Sequence, residues 1–333
     1  MQETPLWTPS QASISQAAVT SFIDVVNASA GSEIADYRAL HAFSVENPQS
    51  FWSLLWDFCE VRGEKGDRVI DSPDKMPGAA FFPDARLSYA ENMLRRTGDH
   101  EAIIFRGEDK IERRLSWDEL NALVSRLQQS LKAHGVGPGD RVAAILPNMP
   151  EAAAALYATN SVGGVWSSCS PDFGERGVLD RFGQIEPKIL IVCDGYWYAG
   201  KKIDVSEKLQ AIVAKLPSVE QIIVVPYLGE AEAMASKLGD AMTLELALRP
   251  FKAAPLTFER LPFAHPLYIL FSSGTTGVPK CIVHCQGGAL LMHLKEHRLQ
   301  CDVRPGDRVF YFTTLGWMMW NWLVSAAGSG ATL

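Results

Sequence analysis

"GDRVAAILPNMPEAAAALYATNSVGGVWSSCSPDFGERGVLDRFGQIEPKILIVCDG", Gly139 to Gly195, is the stretch whose reading decides the fold. Three of its runs, "GDRVAAILP", "GVWSSCS" and "PKILIVCDG", are apolar without alternation, as strands buried on both faces are. The segments between them, "MPEAAAALYATNSVG" and "GERGVLDRFGQIE", have the length and composition of helices. Buried strands joined by helical crossovers must lie parallel with helices on both faces, so the expectation is a doubly wound α/β domain.

The same alternation extends outward. Downstream, the helix "VSEKLQAIVAKLP" leads to the strand "VEQIIVVPY". Upstream, "AIIFRG" reads as a strand, and "SWDELNALVSRLQQSLKAHGV" as a helix with Ser116 at its N-cap, Glu119 closing a capping box and Gly135 at its end. Residues 36–96 are aromatic, with Phe51, Leu54, Leu55 and Phe58 on one side of a helix; a second capping box is expected at Ser88 and Glu91. Residues 1–35 carry one helix, "QAAVTSFIDVVNA", and read as a peripheral segment. Residues 228–266 read as a surface excursion, followed by the strand "LYILF", a loop, "CIVH", the helix "GGALLMHLKEHRLQC" and the strand "DRVFYFT".

At 333 residues and 47% hydrophobic content the chain can bury a large core, and its formal charge of -7 without a basic, aromatic-studded tract speaks against nucleic acid as a partner. "MQETPLWTPSQASISQ" has no basic region followed by an apolar one, which predicts a cytoplasmic protein, and "GWMMWNWLVSAAG" is too short and interrupted to span a membrane. The 6 cysteines form no CxxC pair, as reduced thiols would. Cys281, His284, Cys285, His293, His297 and Cys301 match no zinc spacing, so no metal ligands are expected.

"SSGTTGVPK", Ser272 to Lys280, lies where a strand ends and the chain turns, the place where ligands collect in α/β sheets. Gly274 and Gly277 let the backbone approach closely, Ser272, Ser273, Thr275 and Thr276 add donors, and Lys280 adds one positive charge. The set suits a polyphosphate. No Ser or Thr follows the lysine, which separates it from the Walker A loop.

"YILFSSGTTGVPK" resembles the phosphate-binding signature of the adenylate-forming superfamily, which includes acyl-CoA synthetases, luciferases and nonribosomal adenylation domains. "FFPDARLSYAENML", "SPDFGERGVLDRFGQIEPKIL", "GTTGVPKCIVH" and "LGWMMWNWLVSAAGSGATL" are similar in particular to the amino-terminal half of the acetoacetyl-CoA synthetase family. The resemblance implies a partial, incomplete AMP-binding domain over residues 97–333 behind an acetyl-CoA-synthetase-type extension over 36–96. It implies a ligase that activates a small carboxylate, acetoacetate, with ATP and Mg2+ and passes the acyl group to CoA. Ser272, Ser273, Gly274, Thr275, Thr276, Gly277 and Lys280 would hold the ATP phosphates, with Thr275 and Lys280 acting in catalysis. Gly316 and Trp317 would face the acid, and Met319 and Lys201 of "YAGKK" would meet CoA. Arg181 is expected to pair with Asp180 or Glu186 on its own helix. The adenine turn, ribose-binding aspartate and carboxy-terminal lysine domain of such enzymes have no counterpart here, so weak ATP binding is expected of this chain alone. Two other readings stand beside this one: the same chemistry on acetate, propionate or another short acid, and an inactive nucleotide-binding fragment.

Overall fold

The computed structural model describes residues 6–272 and 277–333. Its main sheet is built from Arg141–Ile145 (β1), Val165–Cys169 (β2), Ile189–Cys193 (β3), Gln221–Val225 (β4), Met242–Thr243 (β5), Pro266–Phe271 (β6) and Cys281–Cys285 (β7). The strands lie in the order β5-β4-β3-β1-β2-β6-β7. All neighbours are parallel except β6 and β7, which run antiparallel because one short loop joins them. The chain leaves β1 towards β2 on one side and returns to place β3 on the other, so the strand order reverses beside β1.

Helices Trp117–Ala133 (α1), Pro150–Ser161 (α2), Glu175–Ile185 (α3), Ser206–Val213 (α4), Gln286–Lys295 (α5) and Met318–Ser325 (α6) cover the sheet. Successive strand residues point to opposite faces, and the core divides accordingly. Val142 and Ala144 pack with α1 and α2, whereas Ala143 and Ile145 pack with α3 and α4. Every residue of α2 is buried, and its middle, Ala152 to Ala158, is accordingly apolar on all sides. The Ser116 capping box forms with both of its hydrogen bonds, and Gly135 takes a φ of 69° just past the end of α1.

Four local expectations change. "AIIFRG" is a strand, Glu101–Gly107, but it pairs antiparallel with Ile111–Ser116 in a separate hairpin, since the connection is too short for a parallel crossover. The 228–266 excursion supplies β5 to the sheet edge and two helices, Ala231–Lys237 and Leu244–Leu248. Ser88 makes no capping bond; Glu91 instead receives two hydrogen bonds from Arg260, at 2.9 and 2.7 Å, and the guanidinium outcompetes a backbone amide. "DRVFYFT" forms no regular strand: Asp307 and Val309 exchange backbone bonds with Thr332, while Phe310 and Phe312 are 80% and 90% exposed.

The helix Ala18–Ala30 buries Phe22 and Val26, with the Phe22 ring against those of Phe51 and Phe58 on Pro48–Phe58. No helix among the described residues is long and apolar enough to cross a membrane.

Candidate active site

In a parallel sheet the crevice above the reversal of strand order is the natural ligand site. Here a cavity of ≈ 360 Å³ opens there, lined by Asn148 after β1, Ser170 and Asp172 after β2, Tyr196 and Tyr198 after β3, and Thr314. Its walls are pinned from below. Trp320 stacks on Trp166 of β2 and donates its Nε1 hydrogen to Asn148 Oδ1 at 3.0 Å. Ser168 Oγ donates to the Leu315 carbonyl at 2.9 Å, fixing the segment that leads into α6.

Charge in the crevice is shaped by burial. The half-buried Lys208 donates from Nζ to the Pro171 carbonyl, and desolvation holds its pKa below the usual lysine range. Burial raises the Tyr196 phenol, and the neighbouring Asp172 carboxylate adds to the rise.

The sequence-derived site residues distribute around this crevice. Gly316 follows Thr314 by two positions and lies against Phe173 of the "SPDFG" turn; a Cβ there would sit 2.8 Å from the ring. Trp317 precedes α6 and is 59% exposed, whereas Met319 is partly buried. Lys201 is exposed on the hairpin of Tyr196–Tyr198 and Lys201–Ile203, whose first strand lines the cavity. The "YAGKK" stretch is therefore a hairpin turn: Ala199 and Gly200 take φ values of 49° and 75°, as its tight turn requires.

The loop leaves β6 at Ser272, whose N–H donates to the Lys280 carbonyl at 3.0 Å and closes its base. Gly277 has a φ of 144°, which only glycine adopts readily, and Lys280 is exposed. Ser273, Gly274, Thr275 and Thr276 lie outside the described residues.

Arg181 departs from expectation. Its guanidinium lies over Phe173, 4.9 Å from the ring centroid, and over Phe271 at 5.7 Å, and donates to the Gly177 carbonyl at 2.7 Å. Asp180 pairs instead with Arg176 at 3.6 Å, and Glu186 ends the helix with a φ of 48°.

Among the described residues no group of three His, Cys, Asp or Glu side chains is placed to hold a metal. His297 sits in the core, its Nε2 within 2.9 Å of both the Trp322 carbonyl and Ser325 Oγ.

The family described as AMP-binding enzyme matches residues 90–333, most of the chain and all of this crevice. The chain belongs to the AMP-binding enzyme family. A second family, described as acetyl-coenzyme A synthetase N-terminus, matches residues 37–93. An acetoacetyl-coenzyme A synthetase of Rhizobium meliloti (strain 1021) is 57% identical over 99% of this chain and 51% of its own length. A malonamoyl-CoA synthetase of Penicillium aethiopicum is 39% identical over 94% of this chain and 45% of its own. The solved acetoacetyl-CoA synthetase from Streptomyces lividans superposes with a TM-score of 0.93 at 43% identity, covering 99% of this chain and 51% of that one. The chain spans about half the length of the curated relatives it matches.

Within this AMP-binding fold, Asn148, Asp172, Tyr196 and Tyr198 are the crevice residues that sequence reading passed over. A signal for three of them was present: Asn148, Asp172 and Tyr196 each come three residues after a buried strand of the parallel sheet, where ligand contacts concentrate. Tyr198 gave none, since nothing local marks a hairpin that folds back over the cavity.

Proposed function

We propose that this chain carries the phosphate grip and part of the acid and CoA sites of an AMP-forming acetoacetate:CoA ligase. A carboxylate is a poor electrophile. In the proposed reaction one of its oxygens attacks the α-phosphorus of ATP and pyrophosphate leaves, and the thiolate of CoA then displaces AMP from the acyl-adenylate. Negative charge gathers on the departing pyrophosphate, which is why a loop of fixed donors with one lysine suits the first step. Ser272, Gly277 and Lys280, together with Ser273, Gly274, Thr275 and Thr276, are assigned to the β and γ phosphates, with Thr275 and Lys280 as the catalytic pair. Mg2+ would arrive on the nucleotide. Gly316 and Trp317 are assigned to the acid, and Lys201 and Met319 to CoA. The division at residues 36 and 97 and a cytoplasmic location belong to the same proposal.

The observation that carries this reading is the position of the loop, which leaves the carboxyl end of β6 in the same sheet whose reversal point opens the crevice beside Thr314 and Gly316. Acetoacetate and malonamate share one shape, a short acid with a carbonyl at carbon 3, so a single pocket serves either and separates both from acetate. The test is acid-dependent exchange of labelled pyrophosphate into ATP by the protein in its native, full-length form. Exchange should rise with acetoacetate well above acetate and fall at least tenfold on Lys280→Ala. A large excess for acetate would assign the protein to another acid.

A further inference from the structure

The "SPDFG" turn and Arg181 carry the inference, because together they connect the crevice to the base of the phosphate loop. On α3, Arg181 and Gln184 lie three residues apart and share a face. Gln184 Nε2 donates to the Pro279 carbonyl at 2.9 Å and its Oε1 lies 3.7 Å from Cys281 Sγ, so it clasps both neighbours of Lys280. One turn earlier, Arg181 covers Phe271, the residue immediately before Ser272. Its other ring neighbour, Phe173, is the one packed against Gly316. Phe173 follows the last residue of β2 by four positions, so the guanidinium lies near the carboxyl end of that strand.

A guanidinium has five N–H donors. Among the described residues Arg181 uses one, to the Gly177 carbonyl, and it pairs with no carboxylate. Two aromatic faces hold it in plane while its edge stays partly exposed, and a planar fork so held matches a phosphoryl group and pairs with it through two bonds. A partly buried cation without a counter-charge is costly in the free protein and is relieved when an anion arrives.

We propose that Arg181 is a second fixed cation beside the loop, taking an anionic phosphoryl group of either the nucleotide polyphosphate or CoA. The proposal rests on reading Ser272–Lys280 as a phosphate loop. Phe173 and Arg181 then form a relay of contacts by which the wall at Gly316 and the entry to the loop at Phe271 share one rigid element.

The experiment is calorimetric titration of the protein in its native, full-length form, as wild type, Arg181→Met, Arg181→Lys and Lys280→Gln, with pyrophosphate, Mg-ATP and CoA, alongside thermal midpoints. Arg181→Met keeps the alkyl packing and removes the charge. It should bind pyrophosphate and Mg-ATP at least tenfold more weakly, with a midpoint close to wild type, and Arg181→Lys should recover part of the loss. A loss confined to CoA would also support the proposal and assign the phosphoryl group to CoA. Wild-type affinity of Arg181→Met for all three ligands, with Lys280→Gln weakened, would overturn the role of Arg181 and leave the loop reading intact. A uniform loss together with a lowered midpoint, unrelieved by lysine, would overturn it as structural damage. Failure of the wild-type protein to bind any of the three would overturn the loop reading and the proposal with it.

Discussion

Replacing Gly316 with alanine tests whether the segment that leads into α6 and the "SPDFG" turn are one packed unit. A methyl built on Gly316 meets Phe173 Cζ at 2.8 Å and Cε1 at 3.3 Å. Carbon atoms settle at roughly 3.5–4.0 Å, so the ring must retreat by about 0.7 Å or more. It is not free to do so, because the Arg181 guanidinium lies against it at 4.9 Å. Overpacking of this kind costs about 1–3 kcal/mol. With an unfolding entropy of ~2.1 cal/mol/K per residue, a chain of 333 residues has ~0.7 kcal/mol/K, so the midpoint should fall by roughly 1.5–4 °C. The assay is a circular-dichroism melt of four proteins: wild type, Gly316→Ala, Phe173→Leu and the double variant. Leucine removes the ring edge that the new methyl strikes, so the double variant should melt about 1 °C or more above the sum of the single effects. A Gly316→Ala protein that melts like wild type, or strictly additive singles, would refute the contact.

Other outcomes follow from the same geometry. Gly287→Ala should cost more than Gly316→Ala, because its Cβ would fall 2.1 to 2.4 Å from three atoms of Phe263, a ring already packed at a tilt 5.3 Å from Phe82; comparative melts decide the order. His293 and His297 are buried, and desolvation lowers their pKa values from 6.5 to about 3 and about 4. The unfolded chain therefore binds protons that the folded one refuses: stability is full above pH 6.5 and declines as pH falls towards 4, by up to ~1.4 kcal/mol per pH unit for each group. Denaturant midpoints measured across that window should flatten in His297→Gln, and an unchanged slope would exclude His297 as a source. Alkylation followed by mass spectrometry should mark Cys281 and Cys301 first, since Cys59, Cys169 and Cys193 are buried, with thiols raised to about 11, 12 and 12. Mg-ATP should slow the labelling of Cys281, the neighbour of Lys280, and leave Cys301 unaffected; equal rates with and without nucleotide would count against the loop as its binding place.

Much of the fold was legible because its signals are local. A buried strand needs only its own apolar run, and a capping box needs residues three apart, so Ser116 with Glu119 could be read directly. The same motif at Ser88 failed because Arg260, far away in sequence, reaches Glu91 first. The loop from Ser272 to Lys280 stands out in the sequence because the order of its glycines, hydroxyls and lysine is dense with constraint. Arg181 was misread for the opposite reason: its partners Phe173 and Phe271 are neutral rings, one of them on another strand, and a search for carboxylates on its own helix could not reach them.

By itself the sequence determined the long buried strands of the main sheet, their crossover helices and the family to which the pattern belongs, since period, caps and turn residues act over a few positions. Only the tertiary structure decided that "AIIFRG" stands apart from the main sheet, that the excursion supplies an edge strand, and that Tyr198, Asp172, Asn148 and Thr314 meet in one crevice. Polar side chains show the same division: Gln128 of α1 donates to the Thr257 carbonyl at 2.5 Å, and Ser125 exchanges hydrogen bonds with Ala254 at 2.8 and 3.0 Å. Buried hydrogen-bonding groups must find partners, and which partner each finds depends on chain segments brought together only after the sheet has formed.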